Sequence, residues 1–175
     1  MSNVKCQISN VKSKTGFTLI ELLVVFTLVS IVSGIGFASF VSYSRRQVVV
    51  QAAADFKQTA DLARFNAFSQ VKPATCGETF ELLNFKVNVC PNAICQTSGV
   101  DYEMNLTCGG LEQVQHTKIL PKNITFSEVV GSPICANLTF YIVSGIVTGA
   151  PCEIFVNGYG NQVKIQIDPN GHVSY

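Results

Sequence analysis

Glu21 is the first residue whose placement demands a chemical reason. It is the only charge in an almost unbroken apolar run from Phe17 to Val41. A charge near the centre of a membrane-length helix costs about 2.5 kcal/mol or more by insertion scales. Something must offset that cost, so an acid here is expected to have a function. The cysteines are the second set. Cys6 precedes the run, and the rest of the 7, Cys76, Cys90, Cys95, Cys108, Cys135 and Cys152, follow it. An even number beyond a membrane helix points to an oxidising compartment and disulfides. The sequence alone does not choose among the roughly 15 connectivities. Cys90 and Cys95 enclose a short loop containing Pro91 and are the expected local pair. Free thiols and zinc are the alternatives, but the spacings lack paired Cys-x-x-Cys steps and His116 and His172 are the only histidines.

Catalytic patterns are otherwise absent. There is no Gly-x-Ser-x-Gly, no His-Glu-x-x-His and no phosphate loop. A cysteine–histidine nucleophile using His116 or His172 would need a thiol that an oxidising compartment tends to pair. The expectation is therefore no enzyme, no metal site and no cofactor, with His116 in a polar loop near Pro121 and His172 in a terminal strand. The net charge of +1 gives no general attraction to nucleic acid. Asn-x-Thr triplets at Asn105, Asn123 and Asn137 are explained by threonine in strand-like runs.

The elements that carry these residues follow from periodicity. The stretch 1–16 is a basic leader with Lys5, Lys12 and Lys14 and no acid. Its removal would leave the chain mildly acidic. The stretch 17–41 exceeds the roughly 20 apolar residues that cross a bilayer. A cleaved secretory signal, with an apolar core of about 7–15 residues, fits it poorly. Lys12 and Lys14 flank one end and Arg45 and Arg46 the other, so charge bias does not orient the span. The cysteine-bearing tail sets the expected orientation, with the leader inside and the tail outside.

No breaker follows Val41. Val49, Ala53, Phe56, Ala60, Ala63 and Ala67 recur at steps of four and three, the mark of one helix face. Asp55, Lys57, Asp61 and Arg64 fall mostly off that stripe. The stretch 42–72 thus continues the helix amphipathically, from about Phe17 to about Val71, until Pro73 ends the pattern. The stretch 73–175 turns to period two: Tyr102, Met104 and Leu106; Ile124 and Phe126; a β-branched and aromatic run from Asn137 to Val147; and Val163, Ile165 and Ile167. Asn157-Gly158 and Asp168-Pro169-Asn170-Gly171 read as turns. The last of these returns His172 to Tyr175 as a strand. The expected fold class is α+β, a long N-terminal helix packed on an antiparallel sheet.

The junction Lys14-Thr15-Gly16-Phe17-Thr18-Leu19-Ile20-Glu21 resembles the type IV prepilin family. The resemblance implies that prepilin peptidase cuts after Gly16 and N-methylates Phe17. It also implies that Glu21 meets the N-terminal amine of a neighbouring subunit as the helix joins a filament. Phe17 and Glu21, four apart, would share a helix face. A charge pair gains most in low dielectric. The implied partners are the peptidase, the bacterial inner membrane, and other pilins or pseudopilins through the N-terminal helix, with the C-terminal domain in the periplasm. Many pilins carry a proline about 22 residues into the mature chain. Ala38 stands there in this sequence, with Gly34 and Gly36 as the alternative source of flexibility. Size and the late strand pattern are most similar to the minor pseudopilin H and FimT/FimU group. Its members sit near a filament tip, of a type II secretion pseudopilus or a type IV pilus. Two other readings stand beside this one: a major pilin, and a DNA-binding minor pilin for DNA uptake. Phosphate binding needs clustered cations. The end from Asp168 to Tyr175 has no arginine and only Lys164 nearby, so nucleic acid is not an expected partner.

Overall fold

The structure, a computed structural model, describes residues 16–90, 95–128, 135–142 and 144–175, without the side chains of Ile35, Gly36, Ala38 and Glu128. The leader residues Lys5, Cys6, Lys12, Lys14 and Thr15, and also Pro91, lie outside the described residues. The chain divides into two units, Met1–Val41 and Ser42–Tyr175. One helix, α1, covers Leu19–Phe68 and so contributes to both.

In the first unit, every side chain described on α1 from Leu19 to Phe40 is exposed, including Leu19 at 82% and Val32 at 70%. The helical hydroxyls fold back on the backbone. Thr27 Oγ1 donates to the Val24 carbonyl at 2.8 Å and Ser30 Oγ to the Phe26 carbonyl at 2.8 Å. Those bonds hide polar groups that an apolar environment would otherwise penalise. By length and composition, α1 is the one helix among the described residues suited to cross a membrane.

The second unit is built on the stripe of small residues. Val49, Ala52, Ala53, Phe56, Ala60, Ala63 and Ala67 are all buried to within 2%. Alanines let the sheets approach the helix axis, and the larger Phe56 fills the gap between them. α1 closes in a Schellman pattern: Val71 N donates to Asn66 O at 3.1 Å and Gln70 N to Ala67 O at 3.3 Å, with Gln70 at φ 51°. Pro73 follows and leads into a 3-10 turn at Ala74–Cys76.

Nine strands follow: β1 Leu82–Val89, β2 Tyr102–Cys108, β3 Leu111–Lys118, β4 Ile124–Glu128, β5 Asn137–Tyr141, β6 Val147–Thr148, β7 Cys152–Gly158, β8 Asn161–Ile167 and β9 Val173–Ser174. They form two antiparallel sheets rather than one, in the orders β3-β2-β1-β5-β6 and β4-β7-β8-β9. An aromatic trio joins both to the helix. Phe56 of α1 meets Tyr102 of β2 and Phe126 of β4 edge-on, each at 5.4 Å, and those two rings are 5.9 Å apart. Such pairs add about 0.5–1.5 kcal/mol beyond their burial. Burial, with the carboxylates of Asp55 and Asp101, pushes the Tyr102 phenol up to about 12. Lys57 anchors the last strand, donating to Asp61 Oδ2 at 2.8 Å and to the Val173 carbonyl at 2.6 Å.

Several local expectations change. Asn157-Gly158 is not a turn but the end of β7. The β7–β8 turn is Tyr159-Gly160, at φ 52° and 75°, the left-handed pair a two-residue hairpin requires. Gly158 is glycine for a packing reason: an added Cβ would collide with Ile124 Cδ1 and crowd Val49 Cγ2. The run from Asn137 to Val147 is two strands, because a positive φ at Gly145 turns the chain between β5 and β6. His116 lies in β3 rather than a loop, and His172 stands just before β9.

Candidate functional site

The helix entrance is the first candidate. Thr18 caps α1: Glu21 N donates to Thr18 Oγ1 at 3.3 Å and Leu22 N to the Thr18 carbonyl at 3.1 Å. Glu21 is therefore the third residue of the helix, with the Thr-x-x-Glu spacing of a capping box. A carboxylate there also meets the positive end of the helix dipole, worth about 0.3–1 kcal/mol. Thr18-Leu19-Ile20-Glu21 carries that signal in the sequence, so part of what offsets the charge was legible and was missed. Phe17 precedes the helix, which begins at Leu19, so Phe17 and Glu21 do not share a helix face. Gly16 has open space around it and Phe17 is 76% exposed. Gly16, Phe17 and Glu21 thus lie together on an accessible segment, with no other described side chain bonded to Glu21.

The cysteines are the second candidate. Cys76 joins Cys108, Cys90 joins Cys95 and Cys135 joins Cys152, with Cα separations of 5.6, 6.2 and 5.3 Å. The first ties the 3-10 turn to the end of β2. The third ties the approach to β5 to the start of β7, and so links the two sheets. Each of these six thiols is held in a disulfide.

The third feature was not foreseen. Alternation along β2 should turn Glu103 and Asn105 to solvent, yet both are fully buried. Glu103 accepts from Gln96 N at 2.9 Å, Thr97 N at 3.1 Å, Asn105 Nδ2 at 2.8 Å and Asn88 Nδ2 at 3.2 Å. Burial by itself would push this carboxyl up. The four donors outweigh it and hold the group below the ordinary carboxylate value. The strand register makes Asn88 the direct neighbour of Glu103 across β1 and β2. The arrangement fastens the segment after Cys95 to sheet β3-β2-β1-β5-β6. The Glu103 carboxylate is saturated by its four donors, while the amide oxygens of Asn88 and Asn105 are buried without a partner among the described residues. Asn105, one of the Asn-x-Thr asparagines, is sealed inside this arrangement.

Residues 11–37 match the family model described as the prokaryotic N-terminal methylation motif. The match spans the leader junction, Glu21 and most of the apolar run. It supports a type IV prepilin-like family and indicates a pilin-like protein cleaved by prepilin peptidase. Proteins with this motif are structural subunits, and the motif implies assembly with other pilins. The apolar helix fits membrane anchoring, with the C-terminal domain beyond it. Searches of curated proteins and of solved structures gave no match.

Proposed function

We propose that this chain is a minor pilin or pseudopilin, placed at or near the tip of a type IV pilus or type II secretion pseudopilus. The observation that carries the reading is the Gly16-Phe17 junction one turn before Glu21, at the mouth of a membrane-length helix. The sequence of events is physical. Prepilin peptidase removes 1–16 and methylates the new amine of Phe17. The helix holds the chain in the inner membrane, with the disulfide-tied domain in the periplasm. When the helix leaves lipid, its exposed apolar surface must be covered by other such helices. Glu21 then pairs with the amine of a neighbouring Phe17 in low dielectric, where an unpaired carboxylate is strongly unfavourable.

Replacing Glu21 tests this. Glu21→Ala makes the helix more apolar, so membrane insertion is expected to persist. Filament incorporation should lose a contact worth about 3 kcal/mol, roughly a hundredfold. Membrane fractionation and purified filaments, probed for this chain, read the two steps separately. Normal incorporation of Glu21→Ala would remove the assigned role.

A further inference from the structure

One end of sheet β4-β7-β8-β9 is set against the first turns of the helix in the globular unit. Gly158 closes on Val49 and Ile124 so tightly that no Cβ fits. This fixes the start of β4 and the β7–β8 turn beside Arg45. The Arg45 guanidinium lies 5.6 Å from the centroid of the Tyr159 ring, and Tyr159 Oη donates to the Lys122 carbonyl at 3.0 Å. Tyr43, Arg45, Arg46, Lys122 and Tyr159 are all exposed. Among the described residues, none of the three cations makes an ion pair.

Strand register sorts charge along the sheet. The pairs Ile124↔Gly158 and Gly158↔Asn161 lie at this end. Glu128, Glu153 and Asp168 belong to the opposite end, where Cys152 pairs with Ile167 and Lys164 is neutralised by Glu153 at 2.7 Å. Among the described residues, no acid of this sheet lies at the near end, and the carboxylate that meets the approach to β4, Asp101, is engaged by Leu120 N at 2.7 Å. Arg45 also stands four residues past Val41, the last residue of the apolar run, in the sequence. Tyrosines and arginines that follow a membrane-length run closely in sequence suit the headgroup region of a bilayer. A guanidinium held near a ring face rather than by an acid keeps N–H donors free for phosphate.

We propose that this rim, Arg45 and Arg46 with Lys122 and Tyr159, binds the phosphate of an anionic phospholipid at the bilayer surface. The bound lipid would hold the globular unit at the membrane until the helix is withdrawn. The inference rests on the reading of 17–41 as a membrane segment. Failure of that reading would appear as absence from the membrane fraction, which is distinct from loss of lipid preference.

The test uses the full chain in neutral detergent, titrated with short-chain phosphatidylglycerol or phosphatidylcholine and followed by native mass spectrometry. Each surface cation contributes about fivefold to anionic-lipid binding. Phosphatidylglycerol is expected to bind about 25-fold tighter than phosphatidylcholine, the product of two such contributions. Arg45→Gln with Arg46→Gln should abolish that preference, while Lys164→Gln, whose lysine is already paired with Glu153, should keep it. Equal affinity for the two lipids overturns the proposal, as does an undiminished preference in the double variant. Displacement by inorganic phosphate at concentrations matching the lipid would also overturn it, by making the rim a site for soluble anions.

Discussion

At the scale of single residues, two glutamates show how a carboxylate is made tolerable in opposite ways. Glu21 is held at a helix entrance by a capping threonine and the helix dipole, with no other described side chain bonded to it. Glu103 is fully buried and saturated by two backbone and two amide donors. Its folded pKa lies below its unfolded value. It therefore contributes stability above the unfolded pKa of about 4.3. That contribution is lost as pH falls through this value and on through the depressed folded one. Glu103→Gln should make the protein less stable at neutral pH by about 1–3 kcal/mol, since a new amide donor faces existing N–H groups. It should also flatten the loss of stability below about pH 4.3. Urea unfolding of the full chain in detergent across a pH series measures both effects. Identical acid slopes for the two proteins would contradict the role given to Glu103.

At the scale of elements, covalent links and packing divide the work. The alanine stripe and the trio of Phe56, Tyr102 and Phe126 hold the helix to both sheets. The Cys135–Cys152 bond crosses between the sheets and closes a loop with a sequence separation of 17. Closing a loop of that size removes about 3 kcal/mol of unfolded-chain freedom. Replacing both cysteines by serine should thus lower the melting temperature by about 10 °C. Thermal unfolding followed by circular dichroism reads this directly. An unchanged melting temperature would mean that packing alone fixes the two sheets.

At the scale of the whole molecule, what was legible in the sequence was what repeats locally. Val49 to Ala67 announced their helix face because burial there follows the 3.6-residue period, and β8 announced itself through Val163, Ile165 and Ile167. Glu103 and Asn105 defeated the period-two rule because their cover is a segment after Cys95, brought there by chain topology rather than local pattern. β1 gave little alternation, since Val87, Asn88 and Val89 are buried in succession. Gly158 looked like a turn residue but serves close packing against Val49. At the candidate site, Gly16, Phe17 and Glu21 were visible as a motif, while Thr18 as a helix cap was present in the same residues and passed over. The basic rim around Arg45 needed the fold, because Lys122 and Tyr159 are distant in sequence.

The central claim is that the chain is matured at Gly16 and enters a filament through its N-terminal helix. Intact mass spectrometry of the non-reduced protein, from cells that contain prepilin peptidase, tests the first step most directly. The account predicts a chain beginning at Phe17, heavier by one methyl group on its amine, and lighter by two hydrogens for each of the disulfides Cys76–Cys108, Cys90–Cys95 and Cys135–Cys152. A chain that still carries Met1 under those conditions would contradict it.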